Sequence, residues 1–150
     1  MKIENPEIIF ADDDYDDRIF FRETVKKVIP GARLHEFLDG KQVMNHLAGL
    51  DTLPHMIFLD INMPFKTGIQ CLKEIRGNER FCHIPVIMFT TSDSQFDIDN
   101  SFDCGANLYI HKPYSYTQGI KLLTEFFTEL DFDKLREVSR EKFYMASDLI

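Results

Sequence analysis

Two apolar runs in this sequence end in acid. Ile8-Ile9-Phe10-Ala11 gives way to Asp12-Asp13-Asp14, and Met56-Ile57-Phe58-Leu59 gives way to Asp60. Short, continuous apolar runs of this kind are strands covered on both faces, and open α/β sheets bind their ligands beyond the carboxyl ends of the strands. If the two strands are neighbours, Asp12, Asp13 and Asp60 converge on one pocket. Like charges about 4 Å apart repel by about 4 kcal/mol at an effective dielectric of about 20, so such a cluster calls for a cation. A few hard oxygen ligands suit Mg2+, which keeps several waters and shares its sphere with phosphate oxygens. The chemistry implied is phosphoryl transfer. Asp14, Asp16 and Asp17 are read instead as decoration of a helix N-terminal turn, where acids cap and favour the macrodipole.

Two further strand ends extend the site. Val86-Ile87-Met88-Phe89 stops at Thr90-Thr91-Ser92, and a last run ending at Ile110 is followed by His111-Lys112-Pro113. A hydroxyl can donate a hydrogen bond to an anionic phosphoryl group, and an ammonium can oppose it as a compact point charge. Each alone is an ordinary turn residue or a solvated surface charge. Their joint order along the chain, an acid pair, an acid, a hydroxyl and a lysine, is what carries the reading.

The elements that must position these residues alternate. Strands are expected near 7–11, 33–38, 56–59, 86–89 and 107–110, the second being the least clear. Helices are expected near 15–29, 40–50, 68–77, 94–104 and 115–130, where apolar residues recur at three- and four-residue spacing. Pro30-Gly31, Pro54, Pro64, Pro85, Gly105 and Pro113 fall between them. Five βα units of this kind predict helices on both faces of a parallel sheet. Residues 131–150 do not form another unit. They read as a tail with a short helix, along one side of which Leu135, Val138, Lys142 and Met145 lie, and whose Phe132, Phe143, Tyr144, Leu149 and Ile150 pack on the domain or meet a partner.

Bulk properties exclude several classes. The chain has 150 residues, 44% of them apolar, enough for one self-supporting core. A net charge of −8 argues against a nucleic-acid partner, which a clustered basic face would attract. Cys71, Cys82 and Cys104 have neither disulfide-framework nor zinc-site spacing and are expected as reduced thiols. No signal-peptide stretch or membrane span is read, so a cytoplasmic location is expected.

The ordered set resembles the receiver domain of two-component response regulators, of the stand-alone, chemotaxis-regulator-like kind, over residues 5–130. It is carried by Ile8-Ile9-Phe10-Ala11-Asp12-Asp13-Asp14, by Phe58-Leu59-Asp60-Ile61-Asn62-Met63-Pro64 with Gly68, by Ile84-Pro85 through Ser92, and by Gly105 through Pro113. The resemblance implies a flavodoxin-like, doubly wound sheet of five parallel strands in the order 2-1-3-4-5 with five helices. It implies that Asp60 is the phosphoacceptor. Asp12, Asp13 and Asp60, with the Asn62 backbone carbonyl, would hold Mg2+ or Mn2+. Thr90 and Lys112 would meet the phosphoryl oxygens, Tyr109 would be an aromatic switch, and the bond before Pro113 would be cis. Such a protein is a signalling switch and not an enzyme, although it assists its own phosphorylation and dephosphorylation. Its partners would be a sensor histidine kinase or histidine phosphotransfer protein and a downstream protein meeting the fourth helix, fifth strand and fifth helix. A homodimer is compatible with the sequence. Thr91 stands where the family often has Ala or Gly, which puts phosphorylation and hydrolysis rates in doubt, and His111 is read as structural.

A receiver-like module that binds partners without phosphorylation is the alternative. A haloacid-dehalogenase-type phosphatase would need an acid two residues after Asp60, where Asn62 stands. A flavodoxin-type cofactor site would need a phosphate loop where acids stand.

Overall fold

The computed structural model describes residues 3–145. Its elements are β1 (Glu7–Ala11), α1 (Tyr15–Val28), β2 (Arg33–Phe37), α2 (Gly40–Ala48), β3 (Met56–Leu59), α3 (Gly68–Arg76), β4 (Val86–Thr90), α4 (Gln95–Asp103), β5 (Leu108–His111), α5 (Tyr116–Thr128), α6 (Phe132–Arg136) and β6 (Tyr144–Met145). The sheet runs β2-β1-β3-β4-β5-β6, and every pairing in it is parallel. The expected five-stranded order is present, extended by one edge strand.

The sheet is a partition between two apolar layers. Ile9, Ala11, Ile57, Leu59, Val86, Met88 and Tyr109 face one layer with α2, α3 and α4. Ile8, Phe10, Met56, Phe58, Ile87, Phe89, Leu108 and Ile110 face the other with α1 and α5. Successive side chains of a strand point to opposite faces, so a strand covered on both sides reads as a continuous apolar run, as β3 does throughout and β1 and β4 do apart from their end residues Glu7 and Thr90. β2 read weakly because it is an edge: Arg33 is exposed, and the rest of the strand is half-buried.

Helix starts follow capping chemistry. Asp14, Asp39, Thr67, Ser94 and Ser115 each accept a backbone N–H from the first turn of α1, α2, α3, α4 and α5. Thr67 and Gln70 complete a reciprocal capping box. Gly68, which opens α3, lies so close under the site that a Cβ there would stand 2.1 Å from the Asp60 carbonyl oxygen. No larger residue fits without moving that loop.

Residues after α5 differ from the expected tail. Instead of one helix side carrying Leu135, Val138, Lys142 and Met145, there is the five-residue α6, a single 3-10 turn at Arg140–Lys142, and β6. β6 pairs Tyr109 with Tyr144 and Ile110 with Met145, and two residues give no periodic signal to read. Leu135 and Phe143 are buried against the domain, with Phe132 and Val138 packed on the core. Leu149 and Ile150 lie outside the described residues. Among the described residues the three cysteines are free thiols, and no helix is long and apolar enough to cross a membrane.

Candidate functional site

β1 and β3 are neighbours with Ala11 opposite Leu59, and the Asp60 N–H donates to the Ala11 carbonyl at 3.0 Å. The register therefore carries Asp12 and Asp60 out of the sheet side by side. β1 sends its connection to β2 on one flank, and the chain returns to β3 on the other. The acids stand in the crevice this reversal opens. Carboxylate oxygens of Asp12, Asp13 and Asp60 all lie within 4.8 Å of one another.

Burial grades the three acids. Asp12 is fully buried, Asp60 half-buried and Asp13 exposed. Asp12 Oδ1 accepts the Asp14 N–H at 2.9 Å, and the Asp12 carbonyl accepts from Arg18 Nη1 at 2.8 Å. Asp60 Oδ1 accepts the N–H of Ile61 at 2.8 Å. Across them lies Lys112, only 6% exposed. Its Nζ donates to Asp12 at 2.5 Å, Asp17 at 2.9 Å and Asp60 at 3.3 Å. Burial pushes the Asp12 carboxyl up to about 6, against the pull of Lys112 and with help from the Asp60 charge. Burial also opposes the Lys112 charge, but Asp60 and Asp12 outweigh it and hold the ammonium above its ordinary value. The two shifts agree once the charge count is made, since one ammonium is divided among three carboxylates and cannot neutralise each.

The hydroxyl arm is also in position. Thr90 ends β4, is fully buried, and its Oγ1 accepts the Ser92 N–H at 3.3 Å. The Thr90 carbonyl accepts the Lys112 N–H at 2.8 Å, tying the ends of β4 and β5. Tyr109 on β5 is fully buried, and its hydroxyl donates to the Ser92 carbonyl at 2.8 Å. Burial pushes that phenol up to about 12. His111 donates its Nε2–H to the Thr91 carbonyl at 3.0 Å and makes an ordinary structural bond. Asn62 is exposed in the loop after Asp60.

One expectation fails. Among the described residues every peptide bond is trans, so the bond before Pro113 is not cis. An X–Pro bond prefers trans by about 0.5–1 kcal/mol unless its surroundings impose the other form, and here the trans chain already delivers Lys112 to the acids.

Two features of the site escaped the sequence reading, which gave Asp17 only a helix-terminus role. Asp17, assigned to the first turn of α1, reaches Lys112 from there; five residues after Asp12, it had no strand end to mark it. The second is a rim of exposed aromatic rings, Tyr15, Phe65, Phe96, Tyr114 and Tyr116, in the connections and first helical turns at the carboxyl end of the sheet. Phe65 has φ 63°, a left-handed backbone that a bulky residue rarely adopts. Beside the acids, a groove of about 330 Å3 runs between α1 and the β5–α5 connection, lined in part by Asp17, Phe20, Lys112, Tyr114 and Tyr116.

A doubly wound parallel sheet with an acidic cluster and a lysine at its switch point is the arrangement expected of a receiver domain. The chain belongs to the response regulator receiver domain family, whose model matches residues 8–124. Protein PilG of Pseudomonas aeruginosa is 34% identical over 112 residues, 73% of this chain and 81% of PilG. The phosphorylated cyanobacterial phytochrome response regulator RcpA superposes with a TM-score of 0.78 at 26% identity, covering 83% of this chain and 95% of RcpA. The Mn(2+)-bound form of response regulator Rcp1 gives 0.77 at 26% identity over 89% of this chain and 97% of that one. The match spans 57% of the length of a further curated relative and 42% of another.

Proposed function

We propose that this receiver accepts one phosphoryl group on Asp60 and transmits the change to a protein partner. The observation that carries the reading is the convergence of Asp12, Asp13 and Asp60 within 4.8 Å, with Lys112 bonded to Asp12 and Asp60.

The residues present fit a divalent cation. Oxygens of Asp12, Asp13 and Asp60 are hard donors within a single coordination sphere's reach, and the ammonium of Lys112 meets only two of these acids, its third bond going to Asp17. Asp12, Asp13 and Asp60 would hold Mg2+ or Mn2+, with the Asn62 carbonyl as a further oxygen. When bound, the cation would supply positive charge that offsets the acids and the incoming phosphoryl group. Asp60 supplies the nucleophile: a carboxylate oxygen forms the new bond to phosphorus as the bond to the donor breaks, and the donor leaves with its electron pair. Lys112, drawn away from Asp12, follows the transferred oxygens as a point charge, and Thr90 donates its hydroxyl proton to one of them. Tyr109 reads the resulting shift of Thr90 through Ser92.

The aromatic rim around an acidic floor supports a protein donor, a sensor histidine kinase or a histidine phosphotransfer protein, because exposed apolar rings gathered at one end of a domain mark a contact surface. The downstream partner would meet the α4–β5–α5 side. A net charge of −8 speaks against nucleic acid, and a cytoplasmic switch, as monomer or homodimer, is the setting these parts suit.

Intact mass after incubation with acetyl phosphate and Mg2+ tests the reading. The wild type should gain one phosphoryl group and Asp60→Asn should gain none. No gain from acetyl phosphate or from a cognate kinase would leave a module that binds partners without phosphorylation.

A further inference from the structure

The chain after α5 returns to the outer edge of β5, beside the residue expected to switch. The Tyr109 N–H donates to the Phe143 carbonyl at 2.9 Å, and Tyr109 pairs with Tyr144 in the sheet. Phe143 is fully buried. Its ring lies 5.2 Å from Phe102 on α4, edge-on, and 6.2 Å from Tyr109, while the Tyr144 ring lies 5.9 Å from Tyr109. Arg140 forms an ion pair with Asp99 of α4 and places its guanidinium 5.7 Å over the Phe102 ring. From the other side, the Tyr109 hydroxyl is held by the Ser92 carbonyl. The same residue gives its N–H to Thr90 and its hydroxyl proton to Asp97 at 2.6 Å.

We propose that residues 140–145 are a strap that holds Tyr109 in its inward rotamer and, through Ser92 and Thr90, favours the phosphorylated form of the Asp60 site; this rests on the phosphoacceptor reading above. The last strand of a sheet ordinarily presents open N–H and C=O groups and side chains free to change rotamer. Here β6 takes up that edge, and the Phe143 and Tyr144 rings of the strap pack beside the Tyr109 ring. A phosphoryl group on Asp60 draws Thr90 Oγ1 off the Ser92 N–H, and the ring packed behind Ser92 is already in place to fill the room. Strap and phosphoryl group therefore favour the same arrangement, and their coupling is reciprocal: each strengthens the other by one factor. Arg140, Phe143 and Tyr144 are positioning residues, acting on the site only through Tyr109.

The test uses the full chain with Mg2+ and beryllofluoride as phosphoryl mimic, comparing wild type, Arg140→Glu, Phe143→Ala and Tyr109→Phe. Arg140 is part-exposed, so Arg140→Glu keeps the core, whereas Phe143→Ala opens it. Arg140→Glu should bind the mimic roughly tenfold more weakly, within the range usual for coupled sites. In the wild type, amide exchange over residues 140–145 should slow by a similar factor when the mimic binds. In Tyr109→Phe, which keeps the ring and loses the bond to Ser92, adding Arg140→Glu should cost less than it does in the wild type. Equal affinity for the mimic in wild type and Arg140→Glu, with faster strap exchange in the variant, would reduce the strap to packing. Faster strap exchange on binding would reverse the sign and overturn the proposal. Failure of the wild type to bind the mimic would remove the phosphoacceptor reading, and the strap's role with it.

Discussion

Among the described residues Lys112 is the single ammonium bonded to Asp12, Asp17 and Asp60, and it is almost fully buried. Taking one partner from a buried ion pair leaves uncompensated charge and costs on the order of 3–5 kcal/mol. Lys112→Met, which keeps the length of the stem, should therefore lower stability by about 3 kcal/mol in metal-free buffer. The loss should shrink when Mg2+ is added, because the cation meets the same charge deficit. Urea denaturation with and without Mg2+ measures both. A loss indifferent to Mg2+ would mean that the acids are not a shared site. At this scale most of the cluster was legible in the sequence, since Asp12, Asp60, Thr90 and Lys112 all follow apolar strands and strand ends are where such sheets work. Asp17 and the aromatic rim were not, because their relation to the site comes from how α1 and the β5–α5 connection turn in space. Phe65, too, gives no sign in the sequence of the left-handed backbone it adopts.

Between elements, the strap and α4 meet through one titratable contact. The Arg140 guanidinium, with help from Gln95, holds the Asp99 carboxyl below its ordinary value. A carboxyl depressed in the folded state stabilises above its unfolded pKa, and that contribution disappears as pH falls through the folded value. The Phe102–Phe143 contact should thus begin to weaken below about pH 4, where ordinary Asp groups titrate. Nuclear Overhauser effects between the two rings follow it, and Arg140→Ala should lack the acid step. An identical acid step in Arg140→Ala would place the cause elsewhere. The strap also marks where element reading from sequence ends. β1, β3 and β4 were evident because burial on both faces demands unbroken apolar runs, and α1 to α5 because their apolar spacing and caps agree. β6 was hidden because two residues held by a long-range pairing carry no pattern of their own. β5 runs one residue later at both ends than the expected 107–110, and Asn107 before it gives its side chain to Arg76 and to the Val86 N–H.

For the whole molecule, the fold and the acidic site pull in opposite directions. The same register that closes the sheet, Ala11 beside Leu59, forces Asp12 and Asp60 together, so the folded state holds a repulsion that the unfolded chain does not. A cation bound only by the folded state offsets it through mass action, by about 2.7 kcal/mol at one hundred times its dissociation constant. For a chain of this length each kcal/mol moves the melting temperature by roughly 2–4 °C. Saturating Mg2+ should accordingly raise Tm by roughly 5–10 °C in the wild type. Asp13→Asn should give the sharper result. Asp13 is exposed and, unlike Asp12, receives nothing from Lys112, so replacing it should leave metal-free Tm unchanged or slightly higher while removing most of the Mg2+ response. Thermal melts of both proteins across a Mg2+ titration decide it. If Asp13→Asn keeps the full response, the cation sits elsewhere on a molecule of net charge −8, and the convergence of the three acids is not what recruits it.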